Sequence, residues 1–176
     1  MSLSVASTAF GTLFAAGTGG PIFAGLLLAL AVSPVQIGII NSLAVLFVPL
    51  QLVGVLLERV RLPRRRIWLA SVLLQRVAWV GLILITAFHA KLERDQFAYL
   101  FTLLFGLSNL FAQLPGGLWF SWMGDLVPSS RQAGFWSRRN AVSQATTVVS
   151  ALLIGWSIEV LDGRIGAYVT VLAAAV

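Results

Sequence analysis

Apolar residues in this chain come in long blocks, without the two-residue alternation of a half-buried strand or the narrow stripe of a surface helix. A helix that crosses a bilayer needs about 20 mostly apolar residues, because each residue advances about 1.5 Å through a hydrocarbon layer about 30 Å thick. Five blocks meet that length, at residues 5–32, 35–57, 67–89, 97–122 and 137–161. A sixth runs from Ile165 to Val176, about half a crossing, so the chain reads as cut within its sixth helix. The pattern predicts an all-α membrane protein: one polytopic bundle over residues 1–176, with five full spans and the start of another. Ser33-Pro34 marks a tight turn after span one, since proline disfavours helical geometry in the residue before it. Span one is too long for a cleaved signal peptide and has no basic segment ahead of it.

Charge sharpens this picture. From Met1 to Leu57 there is no Asp, Glu, Lys, Arg or His, and five arginines then follow between Arg59 and Arg66. Hydrophobic residues make up 59% of the chain, charged residues 10%, and mean hydropathy is +0.93, which leaves a water-soluble fold almost nothing to face water with. The lipid bilayer is therefore the first expected partner. The net charge of +6 sits in short clusters between apolar blocks, where topology signals lie, so nucleic acid is not an expected partner. The absence of cysteine removes disulfides, thiolate metal sites and a cysteine nucleophile, and no cofactor or metal is expected. Alternate junctions are unequal. Arg59, Arg61, Arg64, Arg65 and Arg66 after span two, with Arg131, Arg138 and Arg139 after span four, lie on one side; Lys91, Arg94 and Arg164 lie on the other. The positive-inside rule places the arginine-rich side and the amino terminus in the cytoplasm. The expected location is thus a multi-pass position in a bacterial cytoplasmic membrane.

Two local signatures add to this layout. After span two stands Gly54-Val-Leu-Leu-Glu58-Arg59, followed by Arg61 and Pro63-Arg64-Arg65-Arg66; after span four stands Gly124-Asp125-Leu-Val-Pro128-Ser-Ser-Arg131. Together they resemble the cytoplasmic loops of the N-terminal half of a major facilitator superfamily transporter, with Glu58 in place of the more usual Asp. The resemblance implies a six-helix bundle working with a second, C-terminal six-helix bundle to move a small-molecule substrate by alternating access. It also implies gating roles for Gly54, Glu58, Arg59, Asp125, Pro128 and Arg131. For the charged residues among them, the alternative reading is that of solvated topology anchors. Span four has no arginine and span five no Gly-Pro motif, which argues against a typical multidrug proton antiporter.

Polar residues inside spans are costly and face protein or water, so their spacing indicates which side of each helix looks inward. Asn140, Ser143, Gln144, Thr147 and Ser150 form one stripe on span five; Gly106, Asn109, Gln113 and Gly117 do so on span four. Asn41 and Gln51 in span two, with Thr12 and Thr18 in span one, complete a candidate substrate path. For the hydroxyl and glycine positions helix packing is the competing explanation. Pro115-Gly116-Gly117 is expected to loosen span four. Arg76 is the single charge well inside a span, near mid-depth, and reads either as an anion-binding or counter-charge residue or as a structural tie to a carboxylate such as Asp125 or to carbonyls of a neighbouring helix, with Trp79 on the same face placed to stack on it.

Two other functions compete. An intramembrane serine hydrolase would use Ser108 of Gly106-Leu-Ser108, with His89 as the sole histidine available as base. A small membrane assembly partner without transport activity would need only the bundle. No Asp or Glu lies mid-span, so this chain supplies no proton-coupling carboxylate, and the expected activity is transport, not catalysis.

Overall fold

Lipid offers no hydrogen bonds, so an apolar block satisfies its backbone by becoming helix. In the computed structural model, which describes residues 2–59, 63–161 and 164–176, that is what the blocks do. The helices are α1 (Ser2–Thr18), α2 (Gly20–Ala29), α3 (Pro34–Leu46), α4 (Leu50–Arg59), α5 (Arg64–Ala87), α6 (Arg94–Leu126), α7 (Ser129–Val160) and α8 (Ile165–Ala175), with a 3-10 turn at His89–Lys91. No strand occurs among the described residues. Five helical segments, Thr8–Ala29, Pro34–Gly54, Arg64–Ala87, Arg94–Leu126 and Ser129–Val160, are long and apolar enough to cross a membrane; Ile165–Ala175 is apolar but shorter. Large apolar side chains such as Val45, Leu52, Leu73, Val77 and Leu152 point outward, as in a protein solvated by hydrocarbon. The described residues are thus almost wholly helical, with several helices long and apolar enough to cross a membrane, consistent with an integral membrane protein.

The helix ends differ from the apolar blocks, for physical reasons. Span one is two helices. Gly20 has φ +58, a left-handed conformation that glycine tolerates, and Pro21 lacks the N–H a continuous helix would use. Span two is also two helices, separated at Phe47–Pro49 because Pro49 has no N–H to give. Spans four and five run the other way. α6 has 33 residues and α7 has 32, roughly 50 Å each, because helix continues past the apolar block into charged sequence. The arginine-bearing loop expected after span four thus shrinks to Val127-Pro128, and Arg131, Arg138 and Arg139 ride on α7. Pro115 lies inside a continuous α6, so the expected loosening there is not found.

The chain divides into two compact units, one from residues up to Val32 and from Val127 onward, the other from Ser33–Leu126. In the second unit α6 is the hub, with α5, α4 and α3 packed on it. Its buried stripe of Phe97, Phe101, Phe105 and Ser108 follows three- and four-residue steps, and the stripe of Ile67, Ser71, Ala78, Leu82 and Thr86 on α5 follows steps of four and seven. The Thr86 hydroxyl donates to the Leu82 carbonyl at 2.7 Å and so needs no distant partner. Gly54 is buried where α4 crosses α6, and a Cβ there would run into the Leu114 carbonyl. Small residues let backbones approach where lipid supplies no hydrophobic drive.

In the first unit α1 is the hub, carrying α7, α8 and α2. A Cβ on Gly17 would stand 2.8 Å from the Ala175 Cβ, and one on Gly25 2.8 Å from the Tyr168 hydroxyl, so α8 settles against two glycine faces. α2 ends with Ala31 at φ 51: its N–H donates to the Leu28 carbonyl and that of Val32 to the Leu27 carbonyl, the paired bonds of a Schellman cap. In the second unit, Ser33 then caps α3, its hydroxyl accepting from the Gln36 N–H while the Gln36 side chain accepts from the Ser33 N–H.

Two stability tests follow from these contacts. Gly54→Ala is expected to cost about 1–3 kcal/mol through overpacking against Leu114, whereas Gly38→Ala, with nothing within 4 Å of the added carbon, removes a helix-interior glycine and leaves the thermal unfolding midpoint in detergent unchanged or slightly raised. Equal midpoints for the two variants would remove the α4–α6 crossing as a tight contact. Ala31→Gly relieves a left-handed alanine and is expected to raise stability by about 1 kcal/mol, read as a higher unfolding midpoint.

Candidate functional site

The polar residues of spans two and four meet at the break between α3 and α4. There the Val48 N–H turns to the Val45 carbonyl, one residue short of its normal helical acceptor, so the Ala44 carbonyl loses its usual donor. Gln113 of α6 fills the gap: its Nε2 donates to the Ala44 carbonyl at 3.4 Å. The Gln113 Oε1 accepts from Gln51 Nε2 of α4 at 2.7 Å. One side chain therefore spans the interruption, bonded to α3 above it and α4 below it. Gly116 provides the room, with the Gln51 side chain lying 3.3 Å from where a Cβ would be. Both glutamines expected in the path are in this way also ties between helices, which is how a primary amide in lipid finds partners.

The other path candidates are arranged differently. Asn109 is half-buried and donates to the Phe105 carbonyl of its own helix at 2.9 Å. Asn41 is exposed on α3. The stripe on α7 splits along its length into two edges. Ser143 shares a 3.1 Å hydrogen bond with Thr12 of α1 and Ser150 is buried, whereas Asn140, Gln144 and Thr147 are exposed. The Thr147 hydroxyl donates to the Ser143 carbonyl at 2.9 Å. Thr18 donates to the Phe14 carbonyl at 2.7 Å, beside the break in span one.

Charged residues gather at helix ends. Arg64, first residue of α5, donates from Nη1 to Asp125 Oδ2 near the end of α6 at 2.7 Å. This ion pair holds the turn after span two and the end of span four at one end of their unit, as the charge pattern requires. With the carboxylate 64% exposed, its contribution to stability is at most about 1 kcal/mol. Asp125 therefore pairs with Arg64 and not with Arg76, which lies twelve residues along α5, roughly 18 Å away. Arg76 is half-buried, and Trp79 stands edge-to-face on Phe105, centroids 6.2 Å apart. Gly54 has the packing position described above, Pro128 stands immediately before α7 without a side-chain hydrogen bond to it, and Arg131 is exposed on its first turn. Glu58 and Arg59 end α4; their side chains, and the whole of Arg61, lie outside the described residues.

A cluster that the block pattern conceals lies on α1 and α7. Arg139 donates from Nε to the buried Thr8 hydroxyl at 2.9 Å and lies over the Trp136 ring at 5.7 Å. Its position in a charged run signals a loop; only the continuation of α7 turns it into a helix-packing residue. Ser108 and His89 are not brought together. Ser108 is buried within α6, His89 Nδ1 lies 2.9 Å from the Thr86 carbonyl, and no hydrogen bond joins the two. Among the described residues no group of three His, Cys, Asp or Glu side chains forms a metal site.

Gln113→Leu is expected to cost about 1–3 kcal/mol, because the Ala44 carbonyl and the Gln51 amide lose their partner. Gln51→Leu with Gln113→Leu together are expected to cost less than the sum of the single changes, and strict additivity in chemical denaturation would show that the amides act independently. No family model, curated protein or solved structure matches the chain, so its function is read from the chemistry of these helices.

Proposed function

We propose that the chain is a bundle of a secondary transporter of the major facilitator type, moving a small molecule by alternating access against a second bundle. The observation that carries this reading is the pairing of spans. Span four (α6) gathers spans two (α3 and α4) and three (α5); span one (α1 and α2) gathers span five (α7) and the sixth helix, α8. Each unit thus joins the leading helix of one three-span set to the two later helices of the other set. Intertwined three-span repeats produce such pairing, and repeats of this kind underlie rocking transporters. Both leading spans carry a glycine-proline cluster well inside their length, Gly19-Gly20-Pro21 and Pro115-Gly116-Gly117. The first of these interrupts its helix while α6 runs on through the second, and a break inside a leading span points to a substrate site near the bilayer midplane.

The exposed row of Asn140, Gln144 and Thr147 supports the same reading, because amides facing hydrocarbon would be costly and amides facing a watery cavity are not. The Arg64–Asp125 pair, with Glu58 and Arg59 nearby in sequence, supplies charges at the cytoplasmic mouth whose pairing can differ between the two states. The chain contains no cysteine, so single-cysteine labelling needs no background removal. Cysteines at Gln144 and Thr147 are expected to react with a membrane-impermeant maleimide, from either side of sealed vesicles in turn, while cysteines at Val149 and Leu153 on the apolar side stay silent. Silence at all four positions would turn the polar row into a packing surface and leave the assembly-partner function in place of transport.

A further inference from the structure

Within the second unit, α3 and α6 enclose a groove of about 310 Å³. Leu43 and Phe47 form one wall, Tyr99, Leu103 and Leu110 the other, and Gly106 the floor. We propose that this groove binds an uncharged, largely apolar small molecule whose one polar group is read by the Gln51–Gln113 pair; the inference rests on the transport reading by naming its substrate class. Small-molecule sites have this construction, an apolar cleft of a few hundred Å³ with very few polar groups to fix orientation.

Three observations converge. The lining presents almost no competing polarity: its polar side chains are Tyr99 and Thr102, and the Thr102 hydroxyl is already bonded to the Ala98 carbonyl at 2.8 Å. A charged ligand would lose its hydration here and meet no opposite charge, because no ionisable side chain other than the phenol of Tyr99 lines the groove. The floor is open by design of sequence. A Cβ at Gly106 would have Leu43 at 3.6 Å and Phe47 at 3.9 Å, so alanine fits at ordinary contact distance and a leucine side chain would occupy the groove itself.

The third observation is register. Gly106, Leu110 and Gln113 follow at steps of four and three along α6, so Gln113 is the next residue on the groove-lining face. Its amide oxygen is engaged by Gln51 Nε2, while Gln51 Oε1 accepts no hydrogen bond from the described residues. An acceptor is therefore on offer one turn beyond the apolar lining, suited to a ligand carrying a single N–H or O–H. Tyr99, five residues into α6 and largely exposed, stands at the groove's opposite end, toward the start of that helix. A lipid acyl chain would use the apolar walls but not the amide at the inner end.

The test uses the full chain in lipid nanodiscs, with equilibrium dialysis against indole, indole-3-acetate and tryptamine, which share a skeleton and differ in charge. Empty nanodiscs correct for partition into lipid. Indole is expected to be held in excess over empty discs and the two charged analogues not. G106A retains binding; G106L weakens it by more than about tenfold by filling the site, and Q51L weakens it by about fivefold, the loss of the amide acceptor. Leu103→Trp at the exposed rim is a second way to fill the groove without altering its floor. Equal retention of all three probes, no excess of indole, or unchanged binding in both G106L and Leu103→Trp overturns the proposal. So does a phospholipid found by native mass spectrometry that both groove-filling variants release and indole does not displace, since the occupant is then an acyl chain. Indole binding without solute uptake in vesicles would sink the transport reading and spare the groove; uptake with no indole binding would do the reverse.

Discussion

A backbone carbonyl inside a bilayer has no water to turn to, and the arrangement of this protein follows from that constraint at each place where a helix is interrupted. Span two breaks because Pro49 cannot donate, and the break strands the Ala44 carbonyl in the middle of an apolar segment. The remedy comes from a different helix. Gln113 donates to Ala44 and accepts from Gln51, so the same side chain repairs the backbone and fastens α4 to α6. Gly54 and Gly116 then make sense together, as the positions that let the two helices come close enough for that repair. At the end of span one the solution is local: the Schellman bonds of Leu27 and Leu28 close α2 with no partner helix.

Polar side chains in these helices divide by the same logic into those consumed by the fold and those left over. Thr18, Thr86, Thr102 and Asn109 return their hydrogen bonds to carbonyls one turn back in their own helices, and Thr12 and Ser143 use one another. Asn140, Gln144 and the amide oxygen of Gln51 are not absorbed in this way. The proposed path and the proposed groove both depend on that remainder. Charge is handled at the ends instead: the Arg64–Asp125 pair is partly exposed, so its value is in placing two helix termini side by side more than in stabilisation.

How far the sequence could be read depended on the range of the interaction. The positions of the five helical segments long and apolar enough to cross a membrane were legible because each is a run of apolar residues of that length by itself. The turn at Ser33-Pro34 was legible for a similar reason, being written in adjacent residues, whereas the capping box that Ser33 forms with Gln36 emerged only from the structure. The long α6 and α7 were not, since an apolar run marks where hydrocarbon ends and a helix stops only where its hydrogen bonding stops. Arg139 is the clearest casualty. It sits in a charged stretch that looks like a loop, and lies against Thr8 only because α7 began ten residues earlier.

For the polar residues the division is sharper. Helical spacing correctly grouped Gln113 with Asn109, and Asn140 with Gln144, because periodicity within one helix is a property of the chain. It could not say that Gln113 faces Gln51, 62 residues away, or that Ser143 faces Thr12, 131 residues away. Sequence alone therefore determined which segments are helical and which polar residues share a side of their helix. Tertiary structure decided which of those sides meet, since that is set by the close approach of glycine-bearing faces from distant helices, and no local pattern encodes the partner.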